Sequence, residues 1–219
     1  MDLTKVIIFM LSAVVIFITT AVSSEMFYVP NEKLGSYNKL YGVQADKRLT
    51  ALLELMNRIH ASDETTKVRE INTFFNRLEY RSDAQVWGKS DYWATRLEFL
   101  GKGMGDCEDY AVAKFLTLIQ LGVPAEKLFL TYVKAIGWAE TAHMVVSYYP
   151  QKGGVPLILD NYNKQIVLAT ERKDLLPVYS FTANDLYIQK QQGLGKKVNP
   201  ASTNNLQKLK SIELEILKR

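Results

Sequence analysis

A lone cysteine constrains this chain more than any other residue. Cys107 stands within Gly103-Met104-Gly105-Asp106-Cys107-Glu108-Asp109-Tyr110-Ala111-Val112-Ala113-Lys114, and the chain holds no second cysteine to pair with it. No intramolecular disulfide can form, so the fold must rest on a packed core. Behind the cysteine, Ala111, Val112, Phe115, Leu116, Leu118 and Ile119 recur at helical spacing until Gly122-Val123-Pro124 ends the run. The spacing predicts a helix whose first turn carries Cys107 and whose body is buried. Unpaired backbone N–H groups and the positive end of the helix dipole favour a thiolate there. A cysteine nucleophile suits such a position; a small buried apolar residue is the plainer alternative.

With 219 residues, 47% of them hydrophobic, the chain is long enough for one domain with a substantial core. The net charge of +4 is mild, and no basic stripe interleaves with aromatics, so no nucleic-acid partner is expected. Residues 1–24 stand apart. Lys5 precedes an apolar stretch of about 17 residues, Val6 to Val22, that closes on Ala21-Val22-Ser23, the pattern of a secretory signal peptide. That length is near the lower limit for crossing a bilayer, which leaves an uncleaved anchor as the rival. Either form exports the domain formed by residues 25–219. An exported chain using cysteine structurally would need an even number of them.

Residues 25–46 are aromatic and turn-rich without a clear period, as in an arm packed across a domain. Leu49, Leu52, Leu53, Leu55, Met56 and Ile59 mark an amphipathic helix, and Val68, Ile71, Phe74, Phe75 and Leu78 a second over 64–78. Ser62-Asp63-Glu64-Thr65 offers capping between them, and so short a link predicts antiparallel neighbours. Thr95 and Glu98 form a capping box for a short helix ahead of the glycines. After the cysteine helix the period changes to that of strands, over 127–135, 142–149 and 155–160, with shorter ones near 165–169 and 186–189. Residues 204–219 suggest a closing helix. Helices first and an antiparallel sheet afterwards define an α+β domain.

The chain has two histidines. His60 ends a helix, where a structural role suffices. His143 opens the strand Met144-Val145-Val146, and Asp160 closes the next, Leu157-Ile158-Leu159. Alone, each is equally well a core histidine or a turn acid. Adjacent antiparallel strands can bring them together, and the pair would then fix an imidazole tautomer and supply a base for Cys107.

Cysteine at a helix start, then histidine and aspartate on successive strands, is the order of the papain-like and transglutaminase-like superfamily. More specifically, Asp91-Tyr92-Trp93-Ala94-Thr95, Glu98, Leu100 and Gly105-Asp106-Cys107-Glu108-Asp109-Tyr110-Ala111 resemble the bacterial transglutaminase-like cysteine proteinases, whose best-described members are of the periplasmic LapG type. The likeness runs from about residue 47 to 190 and includes the intervals of 36 and 17 residues between cysteine, histidine and aspartate. It implies Cys107 as nucleophile, His143 as base and then acid, and Asp160 as orienting carboxylate. It also implies a calcium site beside the cysteine, on acids matching Asp106 and Glu108, with Asp109 a weaker candidate. Three carboxylates around one thiol would raise its pKa, and Ca²⁺ would reverse that field. Ordinary first-turn acids favoured by the helix dipole are the alternative.

The resemblance further implies a substrate and a regulator. The substrate is a large surface adhesin, cut near its N-terminus in the periplasm and so released from the cell, ending biofilm attachment. The regulator is an inner-membrane cyclic di-GMP receptor that sequesters the protease. Trp87, Trp93 and Trp138 suit core packing first, a docking surface or substrate groove second. Two other functions share this sequence pattern: acyl transfer to an amine or amide hydrolysis, through the same thioester, and a non-catalytic binding module on the same fold.

Overall fold

The computed structural model describes residues 27–137, 142–182, 186–190 and 193–198. The expected leader over 1–24, the expected closing helix over 204–219 and Trp138 lie outside these residues. Among the described residues no helix is long and apolar enough to cross a membrane.

Where the sequence suggests an aperiodic arm, the structure has a helix, α1 (Asn31–Tyr41). Tyr37 is its one buried residue, so it carries no apolar stripe for periodicity to reveal. Ahead of it Phe27 and Val29 are buried in the core, and the Asn57 side chain bonds both the N–H and the carbonyl of Phe27 (3.0 and 2.9 Å). That part of the segment does pack across the domain.

Helix α2 (Val43–Ile59) buries Leu49, Leu52, Leu55, Met56 and Ile59, and α3 (Glu64–Phe75) buries Val68, Ile71 and Phe75. Asp63 caps α3, accepting the Thr66 N–H at 2.8 Å. A one-turn helix, α4 (Asp83–Val86), and α5 (Arg96–Lys102) follow, the latter opened by the Thr95–Glu98 capping box that the sequence predicts. Helices α2 and α3 touch, but the main partners of α2 are α1 and α5. Helix α5 ends at Gly103 with φ 71°, where Arg48 donates to the carbonyls of Leu100 (2.6 Å) and Gly101 (2.8 Å). A guanidinium at a helix C-terminus satisfies orphan carbonyls and opposes the dipole.

Strand β1 (Glu79–Tyr80) pairs in parallel with β2 (Met104–Gly105) and delivers the chain to α6 (Cys107–Gln120). Every residue of α6 from Asp109 to Leu118 is buried, because α3 and α5 cover one side and β3 (Leu128–Ala135) and β4 (Ala142–Tyr148) the other. A helix enclosed this fully must satisfy its polar side chains internally. The Thr117 hydroxyl donates to the Ala113 carbonyl (2.7 Å) and accepts from Arg96 (2.8 Å).

The remaining strands are β5 (Leu157–Leu159), β6 (Val167–Leu168), β7 (Leu175–Phe181), β8 (Leu186–Lys190) and β9 (Gly193–Val198). They complete an antiparallel sheet of order β6-β5-β4-β3-β7-β8-β9, so the domain is α+β with helices preceding the sheet, as expected. Strand β7 is not among the strands that the sequence pattern suggests, yet it lies inside the sheet against β3. Pro177, which argues against a central strand, sits where the β3–β7 register slips between Tyr132 and Val133. The extra residue is Val178, and a bulge of this kind is where a central strand tolerates proline.

Candidate active site

The loop before Cys107 is held by contacts that only glycine permits. A Cβ on Gly105 would lie 2.3 Å from Asp109 Oδ2 and 2.8 Å from the Phe99 ring. Asp109 is turned inward and buried. Its Oδ1 accepts the Ala94 N–H at 2.8 Å and its Oδ2 the Asp106 N–H at 3.4 Å, closing the first turn of α6. Phe99 packs edge-on against Tyr110 (4.8 Å), whose hydroxyl donates to the Leu78 carbonyl (2.7 Å). The start of α6 is therefore fixed from β1, α5 and the Ala94 strap together.

Cys107 is half-buried, and its thiol donates to Glu108 Oε2 at 3.1 Å. Burial, then the Glu108 and Asp106 carboxylates, push that thiol well up, while the backbone N–H of Met144 acts the other way. Burial and the crowding acids act in the same direction here, both against the thiolate.

His143 is the second residue of β4 and is buried. Val146 pairs with Leu159, so the continued register sets Asp160 opposite Val145 and on the face of His143. His143 Nε2 lies 2.8 Å from Asp160 Oδ1, as the hairpin argument anticipates. Asp160 is held from every side. Its Oδ1 also accepts the Tyr162 N–H (3.0 Å), and its Oδ2 is ion-paired with Arg172 Nη1 (2.8 Å). Its carbonyl accepts from Asn76 Nδ2 (2.8 Å) and Lys114 Nζ (3.0 Å). Burial alone would push the acid up, but His143, the Tyr162 N–H and Arg172 hold it at about 2.

The acids by the cysteine gather residues from three segments. Oxygens of Asp83, Asp106 and Asp109 lie within 4.8 Å of one another, as do those of Asp83, Asp91 and Glu108. Asp83 Oδ2 accepts the Tyr92 N–H, but Asp83 Oδ1 and Asp106 Oδ1 are buried without a hydrogen-bond partner. Burial first, then the neighbouring carboxylates, push Asp106 up to about 9; burial likewise raises Asp109 to about 7. Orphaned oxygens and acids that resist ionisation fit a hard divalent cation, which takes carboxylate oxygens and cancels their repulsion. Asp106 and Glu108, the acids that the sequence reading names, fall in different clusters, which share Asp83.

Asp83, Asp91, Asn76, Lys114 and Arg172 had no assigned role in the sequence. Asp83 lies 23 residues before Asp106, in a one-turn helix whose only local signal is its Ser82–Gln85 capping box. Asn76, Lys114 and Arg172 converge on Asp160 from α3's end, α6 and the turn before β7, contacts without local signature. His60 is exposed, with Nδ1 2.7 Å from the Asn57 carbonyl, a structural position. Trp87 lies against Tyr92 (4.7 Å) and Trp93 against Phe181 (6.1 Å), both packed on the core.

Residues 50–191 match the family model of the bacterial transglutaminase-like cysteine proteinases. Calcium-bound LapG of Legionella pneumophila is 36% identical with a TM-score of 0.70, over 81% of this chain and 97% of that one. The EGTA-treated form of the same protein is 34% identical with a TM-score of 0.71, over 83% and 96%. A search of curated proteins finds no match. The family model spans more than half of the sequence and the structural likeness nearly all of LapG, so this chain belongs to the bacterial transglutaminase-like cysteine proteinases, a family of cysteine proteases.

Proposed function

We propose that the protein is a calcium-dependent endopeptidase in which Cys107 is the nucleophile, His143 the base and then the acid, and Asp160 the orienting carboxylate. The observation that carries this is the 2.8 Å His143–Asp160 bond, on the strand whose next residue, Met144, favours the Cys107 thiolate through its backbone N–H. With Nε2–H donated to Asp160, Nδ1 is the nitrogen that takes the thiol proton. The thiolate then adds to the scissile carbonyl, and a backbone N–H at the start of α6 helps stabilise the oxyanion. His143 returns its proton to the leaving amine, and water releases the acyl group from sulfur.

Asp83, Asp106 and Glu108 would hold the cation, with Asp91 and Asp109 alongside. A cation held there would supply positive charge against the carboxylates and so oppose the field that raises the Cys107 thiol. Likeness to a LapG solved with calcium supports this choice of ion.

The substrate we propose is the N-terminal region of a large surface adhesin, cut in the periplasm to release the adhesin and end biofilm attachment. An inner-membrane cyclic di-GMP receptor would sequester the enzyme. Support comes from the motif over Asp91–Ala111 and from the apolar stretch Val6 to Val22, which has the pattern of a signal peptide or anchor. The test incubates the purified protein with an adhesin N-terminal fragment, with calcium or EGTA. Cleavage that needs calcium and disappears in Cys107→Ala is expected. Turnover by Cys107→Ala would refute the assignment, and amine incorporation without cleavage would favour acyl transfer.

A further inference from the structure

We infer that Arg172, braced by Asp174, is a positioning residue that holds the Asp160 carboxylate in the orientation it presents to His143. The inference rests on the proposed roles of His143 and Asp160. Arg172 follows the 3-10 turn Ala169–Glu171 and is 4% exposed. Its Nη1 is 2.8 Å from Asp160 Oδ2, while Nε and Nη2 donate to Asp174 Oδ1 (2.9 Å) and Oδ2 (2.8 Å). The paired fork with Asp174 fixes the guanidinium plane, which a lysine ammonium could not do. The two oxygens of Asp160 are thereby divided, Oδ1 to His143 and Oδ2 to Arg172. Turning the carboxylate would break both contacts.

The electrostatics give the arrangement its purpose. A buried carboxylate is costly without a charge partner, and a neutral imidazole is not one. Among the described residues, the charged or titratable side chains shown in contact with Asp160 are His143 from β4, Lys114 from α6 and Arg172 from the turn before β7. Lys114 reaches the backbone carbonyl rather than the carboxylate. Arg172 is therefore the permanent counter-charge. It keeps Asp160 ionised whichever protonation state His143 is in, and it tempers the attraction that would otherwise trap the imidazolium before it gives up its proton.

The chain's two histidines make the test direct, since long-range ¹⁵N–¹H spectra of ¹⁵N-histidine protein report the tautomer and titration of His143 with exposed His60 as reference. The full chain in mild detergent is compared with Arg172→Gln, Arg172→Lys and Asp174→Asn. Arg172 also borders a cavity of about 690 Å³ lined by Val133, Val145, Ile158 and Leu175, so glutamine meets open space rather than a tight core. The expected result is a His143 that is the Nε2–H tautomer in wild type and a mixture in Arg172→Gln. With it, kcat should fall roughly 10- to 100-fold at unchanged KM, the usual effect of removing such a supporting partner. Arg172→Lys should recover part of that loss, and Asp174→Asn should fall between. A folded Arg172→Gln with the wild-type tautomer and titration would overturn the inference, whatever its activity. If that variant does not fold, a wild-type tautomer in Asp174→Asn does the same. The spectra need no substrate, so they decide the point even if the proposed protease activity is absent.

Discussion

The backbone N–H of Met144, next to His143 on β4, favours the thiolate of Cys107 in the first turn of α6. The same sulfur donates to Glu108, so it lies between one group that favours the thiolate and one that opposes it. In the proposed mechanism, neutralising the acids beside Cys107 removes one of the two causes that raise its thiol, burial being the other.

Asp83 belongs to both acid clusters, although the sequence alone gave no reason to choose it. Asp83→Asn is expected to weaken calcium binding at least tenfold in titration calorimetry and to lower activity at limiting calcium. In wild type, calcium at a hundred times its Kd should add about 2.7 kcal/mol of stability. Unchanged affinity in the variant would remove Asp83 from the site.

Gly105→Ala forces a methyl group against Asp109 Oδ2 and Phe99. Overpacking of this kind costs about 1–3 kcal/mol. Because Asp109 also closes the first turn of α6, the variant should lose activity beyond what its melting temperature explains. A variant with wild-type stability and rate would show that the loop is not held as described.

Lys114 supplies a pH signature. Burial pushes its ammonium from 10.5 down to about 7, with Asp160 pulling weakly upward. Between those values the unfolded chain binds a proton that the folded chain does not, so stability rises with pH across the window. Urea melts should show that rise, and Lys114→Met should flatten it. An identical slope in the variant would contradict the assignment.

What could be read from the sequence was local or periodic. The helices around Leu49–Ile59 and Val68–Phe75 carry apolar stripes, the Thr95–Glu98 box is a three-residue signal, and His143 and Asp160 close on one another through a single hairpin register. What escaped was non-local or atypical. Helix α1 buries only Tyr37, and β7 hides behind Pro177. The approach of Asp83 to Asp106, and of Asn76, Lys114 and Arg172 to Asp160, depends on how separate elements pack, which no window of sequence encodes.

The most direct test of the central claim is the alkylation rate of Cys107 by iodoacetamide, from acid to mildly alkaline pH, with calcium and with EGTA. Being the only cysteine, it reports without interference. With calcium, labelling should saturate well below the free-thiol pKa of about 8.5 and slow in His143→Ala, while EGTA should move the midpoint upward. Slow labelling that rises only near the free-thiol value in both conditions would contradict an activated nucleophile.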